Sequence, residues 1–446
     1  MPAMNLYTTD PLFAWNRLDD SPDLRCIETF FRLLPDARLL DALQHNRGKG
    51  RNEYPVRVLW YCAVLQPLLR HTTMEQTLAE LRRNADLRRL GGMEHAEAVP
   101  RSWNMSRFLT ALGQTPFDSL LRDVFNRMVQ RLGGAVSTLG QETAGDATHL
   151  SARRARGKIN AQGIQPDGGR KEYTGEDGKV ERVLEWFGYK LHLLCDTRHE
   201  VVLSYTVTPA SRTDNEALPE VVRIAKANLP NPRIDTLAYD KACDDEAIHR
   251  LLAQEGIRPL IQTRTMWKEE PERPLEKAGI GNVVYDEAGT IYCYDMVSDP
   301  PVRHRMAYIG HEPARRTLKY RCPAEHESWR CACSARCNAG KRYGMTVRVK
   351  QELDLRRFPP IPRATKLFER RYKGRSACER VNARLKLYWG ADDGNLAGGY
   401  NFMARIGLVL VVHIGLASVL AKTQRRDPGK LGLTRLSPIA RALATG

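Results

Sequence analysis

The chain has 446 residues, and 69 Lys and Arg against 52 Asp and Glu give a formal charge of +17. At about 150 residues per domain there is room for roughly three domains, and a composition 42% hydrophobic and 27% charged excludes a wholly disordered chain. Ten cysteines are too sparse for a disulfide scaffold and suit a reducing, cytoplasmic compartment, and the first twenty residues lack the basic-then-apolar order of a secretory signal. The positive charge predicts a polyanionic partner, nucleic acid ahead of an anionic membrane.

Residues 1–135 read as a helical N-terminal domain. Val58, Leu59, Cys62, Leu65 and Leu69 recur at helical spacing over 57–69, behind a Pro55 start signal. A second stripe, Met74, Leu78, Leu81 and Leu87, predicts one helix over 73–90 that stops at Gly91 and Gly92. Its other face is basic through Arg82, Arg83, Arg88 and Arg89. Two further helices are expected over 102–112 and onward to Leu132. Short helices with a basic face suit a helix-turn-helix-like DNA module, and equally the solvated side of an ordinary bundle.

From about residue 140 the period changes to two. Alternating stretches over 187–195 and 201–207 predict adjacent strands. An amphipathic helix follows over 215–228, then a strand over 234–239. Asp244 or Asp245 is placed to cap the next helix, and a short strand over 259–262 ends the run. With an earlier strand ending at Asp146, this order predicts an α/β core with a mixed sheet over 136–263. The Gly-rich, basic stretch 151–179 reads as a mobile loop.

Residues 264–362, rich in Pro, Cys and Tyr, contain short β-like runs at 290–294 and 346–349 and read as an inserted β-rich subdomain. The α/β part resumes over 363–422 with a long helix at 365–387 and an apolar helix at 402–421; residues 423–446 form a basic tail. The apolar helix approaches the ~20 residues of a membrane span. Arg405 and His413 inside it favour a buried core helix instead.

On the long helix, Tyr372, Arg375, Glu379 and Lys386 lie at offsets of three, seven and fourteen from the tyrosine. One continuous helix would hold them within an arc of roughly 60°. Spacing alone also fits a solvated face. Asp146 and Asp240 each end a strand, where an α/β fold typically builds its site, although caps and turns use the same positions. Three gathered carboxylates raise one another's pKa, and hard divalent cations relieve that repulsion. A metal pair about 4 Å apart serves in-line phosphoryl displacement.

Tyr372-x2-Arg375-x3-Glu379-x6-Lys386 resembles the Y-R-E-K motif of bacterial insertion-sequence transposases with a DDE, RNase H-like catalytic core. The similarity extends to FGYKLHLLCD at 187–196, TPASRTDNEALP at 208–219, the Asp240 block and VPRSWNMSRFL in the helical front part. The resemblance implies an α/β, RNase H-like core with a mixed sheet, a helical N-terminal domain and an inserted β-rich subdomain. It implies that Asp146, Asp240 and Glu379 are the catalytic metal ligands, holding two Mg²⁺ (or Mn²⁺). Tyr372, Arg375 and Lys386 would contact transposon-end DNA. The implied activity is cutting at terminal inverted repeats and joining to target DNA, on a homodimer, with Trp329 or Trp267 as candidates to stack on a flipped base.

Two departures bear on the triad. Relatives usually continue the second acid as Asp-x-Gly-Tyr, whereas this chain has Asp240-Lys241-Ala242-Cys243, which leaves Asp235, Asp244 and Asp245 as rivals. The first block is Asp146-Ala147-Thr148, where Gly or Ser often follows the acid. The alternative function is an inactive end-binding protein or repressor derived from a transposase; the presence of all three acids separates the two.

Cys322, Cys331, Cys333 and Cys337 cluster in the insertion, with Cys293 upstream and His326 among them. They suit a structural zinc knuckle that staples a thin core, or reduced thiols, since the spacing is not that of a paired ribbon. Cys26, Cys62, Cys195, Cys243 and Cys378 read as packing residues.

Overall fold

The computed structural model describes residues 22–48, 53–153, 163–174, 179–231, 233–268, 270–275, 281–393, 398–423 and Leu431. The N-terminal region carries α1 (Pro22–Leu33), α2 (Ala37–Arg47), α3 (Val56–Leu68), α4 (Met74–Arg83), α5 (Ala85–Leu90), α6 (Ser102–Leu112) and α7 (Phe117–Ala135). Then come β1 (Glu142–Ser151), β2 (Asp167–Thr174), β3 (Val180–Asp196), β4 (Val202–Pro209), α8 (Asp214–Asn228), β5 (Thr236–Tyr239), α9 (Glu246–Gln254) and β6 (Arg258–Ile261). The insertion holds β7 (Glu272–Pro274), β8 (Val283–Asp286), β9 (Ile291–Asp295), β10 (Val302–Arg305), β11 (Ala307–Glu312), β12 (Thr317–Arg321), α10 (Pro323–Glu327), α11 (Ser334–Cys337) and β13 (Thr346–Lys350). The chain closes with α12 (Lys366–Tyr372), α13 (Ser376–Trp389) and α14 (Gly399–Thr423). The basic tail falls outside the described residues except for Leu431.

Two compact units divide the chain: residues 1–141, 146–233 and 376–446 form the first, and 142–145 with 234–375 the second. In the first, α14 packs against α1, α3, α6, α7, α13 and β4. It is long and apolar enough to cross a membrane, yet 89% of its apolar window is buried inside the protein. Close approach explains its small residues: a Cβ on Gly415 would meet the Phe30 ring at 2.2 Å. Arg405 and His413 find internal partners. The His413 Nε2 accepts the Val202 N–H at 3.0 Å, and Arg405 donates to the Trp389 carbonyl at 3.3 Å. Burial pulls His413 down to about 3, so it is a neutral acceptor there. This is a core helix.

The stripe over 73–90 makes two helices rather than one. Asn84 ends α4 and its side chain caps α5 by accepting the Leu87 N–H, an alternative to helix continuation that Asn offers readily. The expected mobile loop at 151–179 is corrected in part. Residues 167–174 form β2, in antiparallel register with β3 from Asp167 opposite Gly188 onward, while 154–162 and 175–178 fall outside the described residues. Gly168 and Gly169 hide the strand signal; the ladder offered by the long β3 supplies the pairing. β3 also pairs with β4 and neighbours β1.

In the second unit the first residues of β1 run parallel to β5, with Ala144 opposite Ala238, and β5 runs parallel to β6. The insertion adds two antiparallel sheets, β10-β9-β8-β7 and β11-β12-β13. Strands antiparallel in one part and parallel in the other give the mixed α/β class.

Gly145 is set by packing. A Cβ there would meet the buried Tyr239 ring at 2.1 Å. Gly145→Ala should therefore destabilise the protein by about 1–3 kcal/mol through overpacking. Gly134→Ala, where a Cβ meets nothing on α7, should leave stability unchanged or raise it by up to about 1 kcal/mol. Denaturant midpoints of the two variants provide the comparison; equal midpoints would show that Tyr239 yields freely.

Candidate active site

The helix that carries the motif is interrupted. A 3-10 turn, Lys373–Arg375, separates α12 from α13, with Gly374 at its centre. A 3-10 turn advances about 120° per residue against 100° in an α-helix, so the single continuous helix expected over 365–387 is interrupted there. Glycine's poor helix propensity is the local cause. Within α12, the Tyr372 ring stacks on Phe368 at 5.6 Å. Arg371 ties this helix to the start of β1 through Glu142 (3.3 Å) and to Asp235 (3.0 Å).

In the first unit, Glu379, Asn382 and Lys386 follow i, i+3, i+7 spacing and form one stripe of α13. That stripe lies along β1. The Asn382 Nδ2 donates to the Asp146 Oδ2 at 2.8 Å, and the Lys386 Nζ donates to the His149 carbonyl at 2.6 Å. Asp146 is half-buried in mid-strand, not at a strand end, because β1 continues to Ser151. Asp146 and Glu379 are thereby brought to the same side of α13, with Glu379 exposed. Burial lowers the Lys386 ammonium below its usual range, with Asp392 at 3.5 Å opposing the shift. Asn382 is a functional candidate the sequence did not single out; its only advance signal was its place three residues after Glu379.

A buried turn fixes this arrangement. Asp196, at the end of β3, accepts the Gly140 N–H at 2.7 Å and the His199 N–H. Burial, only partly offset by those backbone donors, raises Asp196 to about 6. At the other end of the turn, Glu200 adopts a left-handed φ of 56° and is almost fully buried. Its carboxylate pairs with Arg380 at 2.8 Å and with Arg384, both on α13. Cys195 and Cys378, expected as separate packing thiols, are joined here by a disulfide with Cα atoms 6.2 Å apart. The end of the β3–β4 hairpin sits against the first turn of α13, a pairing no spacing rule reveals.

In the second unit, Asp240 follows β5 directly and is half-buried, and its side chain makes no capping bond to the 3-10 turn behind it. Its three rivals are committed to structure. Asp235 pairs with Arg258 and Arg371, and Asp245 caps α9 by accepting the Ala247 N–H at 2.8 Å. Asp244 is buried and takes the Arg264 N–H at 2.8 Å, Arg356 at 2.7 Å, Arg363 at 3.1 Å and His249 at 3.1 Å. Burial would raise its carboxyl, but those four donors together hold it below the usual range. Because Arg264 opens the insertion and Arg356 and Arg363 close it, Asp244 clasps the base of the insertion.

The two aromatic candidates are both half-buried on their own neighbours. Trp267 lies under Arg273 (4.2 Å) and Arg357 (4.7 Å), and Trp329 packs beside His304 at 5.0 Å.

Comparison with known proteins matches residues 139–414 to a family described as Transposase DDE domain, and residues 17–111 to one described as Transposase domain (DUF772). None of the curated proteins compared with the chain matches it. The first match spans more than half of the sequence and covers every acid considered above, and the second covers most of the helical front part: the chain belongs to the DDE transposase family and is a DNA transposase.

Proposed function

We propose that this transposase cuts at the terminal inverted repeats of an insertion sequence and joins the freed ends to target DNA, with Asp146, Asp240 and Glu379 as its catalytic acids. The observation that carries this reading is the Asn382 bond to Asp146, which sets two of the three acids along one side of α13. For the third, Asp240 directly follows β5 in the second unit and its side chain makes no capping bond there. The capture of Asp235, Asp244 and Asp245 by structural partners favours Asp240 over them.

The donor chemistry fits divalent cations. All three groups are hard carboxylate oxygens, and each side chain is exposed or half-buried. Two Mg²⁺ or Mn²⁺, when bound, would activate the attacking oxygen and neutralise charge building on the leaving one. The chain's own residues do the rest. Asn382 orients Asp146; Lys386, anchored on the His149 carbonyl, adds a positive charge beside the acids; and Arg375 with Tyr372 presents a cation and a phenol to DNA phosphates. Two ends must be held together for joining, so we infer a homodimer on DNA.

Asp146→Asn, Asp240→Asn and Glu379→Gln should each abolish cleavage of a matched repeat in Mg²⁺ or Mn²⁺ while gel shifts show end binding retained. Normal cutting by Asp240→Asn together with loss in Asp244→Asn would reassign the second acid. Binding of ends by the wild type without cleavage in either metal would mark an inactive derivative. Asn382→Ala should lower cleavage about 10- to 100-fold, the usual cost of an orienting residue beside a metal ligand.

Arg375→Ala and Lys386→Ala should weaken end binding and each reduce the slope of log K against log salt by about 0.9. Fluorescence anisotropy across a salt series measures it, and an unchanged slope in both removes this face from the DNA contact.

A further inference from the structure

In the second unit, three segments converge on a cavity of about 20 Å³ lined by Cys293, Cys322, Cys331, Cys333 and Cys337. That is enough for one small occupant, since about 10–15 Å³ holds a water. Cys293 comes from β9, where Ile291, Cys293 and Asp295 alternate inward. Cys322 directly follows β12 and is fixed by its N–H to the Met345 carbonyl at 2.8 Å. The other three come from α11 and the turn before it.

These five thiols are not equivalent. The Cys333 Sγ donates to the Asp295 carboxylate at 3.1 Å, and Asp295 also accepts the Val297 N–H at 2.9 Å and the Ser298 hydroxyl at 2.8 Å. Cys333 is thus engaged by Asp295. The remaining four also line the cavity. We propose that Cys293, Cys322, Cys331 and Cys337 form a structural zinc site that joins the β7–β10 sheet to the β11–β13 sheet. The set differs from the one expected from spacing by exchanging Cys333 for Cys293.

Zinc takes four thiolates in tetrahedral sites that close off from solvent. The Asn338 amide lies 3.9 Å from the Cys322 sulfur, as a donor to a charged thiolate would. The region also needs a cross-link, because its core rests on a small cluster around Ile291, Leu318, Tyr320, Val347 and Phe358. A competing donor set exists in Asp295, His304 and Cys331, whose ligand atoms lie within 4.8 Å of one another. Asp295 already holds three donors, and zinc in a mostly apolar pocket favours the softer sulfurs.

The test is metal content of the full-length protein purified from zinc-supplemented cells. One zinc per chain is expected, released on mercurial titration of the thiols, with Co²⁺ replacement giving the intense visible bands of a tetrahedral thiolate complex. Cys293→Ser and Cys337→Ser should lose zinc, whereas Cys333→Ser and His304→Gln keep it. Cys337→His, which retains a ligand, should recover zinc and so separate ligation from misfolding. A wild type with no zinc and no cobalt–thiolate bands would overturn the proposal. So would loss of zinc in His304→Gln with retention in Cys337→Ser. None of these readouts depends on DNA cleavage.

Discussion

Everything around the first-unit acids depends on one buried carboxylate. Glu200 sits at the tip of the β3–β4 hairpin and receives two guanidinium groups from α13. The two contacts are unequal. Arg380 is half exposed, so its pair is worth at most about 1 kcal/mol. Arg384 is as buried as Glu200, and removing one partner of such a pair typically costs about 3–5 kcal/mol, because the other charge is stranded. Asp196 holds the opposite side of the same turn through the Gly140 N–H, one residue pair ahead of β1. The turn therefore indexes α13 against β1, and the Asn382–Asp146 bond is the consequence rather than the cause.

How much of this was legible beforehand follows from the range of each interaction. Periodicity is local, and it located most helices and strands within a few residues: α6 over 102–112, α8 from 214, β9 and β13 in the insertion. The α13 clamp is not local. Glu200 and Arg380 are 180 residues apart and Asp146 and Asn382 are 236 apart, so no window in the sequence contains both partners. The Cys195–Cys378 link is equally remote. The broken motif helix is a different kind of failure. Gly374 was visible, and its cost of about 1 kcal/mol in a helix was enough to tip three residues into a tighter turn.

The acids illustrate how structure separates residues of identical chemistry. Asp196, Glu200 and Asp244 are each at most 5% exposed, surrounded by N–H donors and guanidinium groups that neutralise them in place. Such groups are saturated, and their work is to join segments. Asp146 and Asp240 are half-buried and Glu379 is exposed. A metal ligand must be anchored enough to point and open enough to bind; a clasp must be closed. Asp244 is such a clasp, closed by the three arginines and one histidine that surround it.

The same reasoning accounts for the net charge. With +17 overall, this chain could neutralise a polyanion only if its cations were free, yet several of its arginines are consumed internally: Arg356 and Arg363 by Asp244, Arg371 by Asp235 and Glu142, Arg384 by Glu200. Burial draws Arg363 and Arg384 down to about 10, which still leaves both charged at neutral pH. These residues set the positions of β1, α12, α13 and the insertion, and exchange for lysine would forfeit the planar fork that lets Arg356 meet both Asp244 and the Arg264 carbonyl at once. Arginine near a carboxylate-rich site thus serves architecture first, and recognition of phosphate falls to those cations whose side chains still reach solvent.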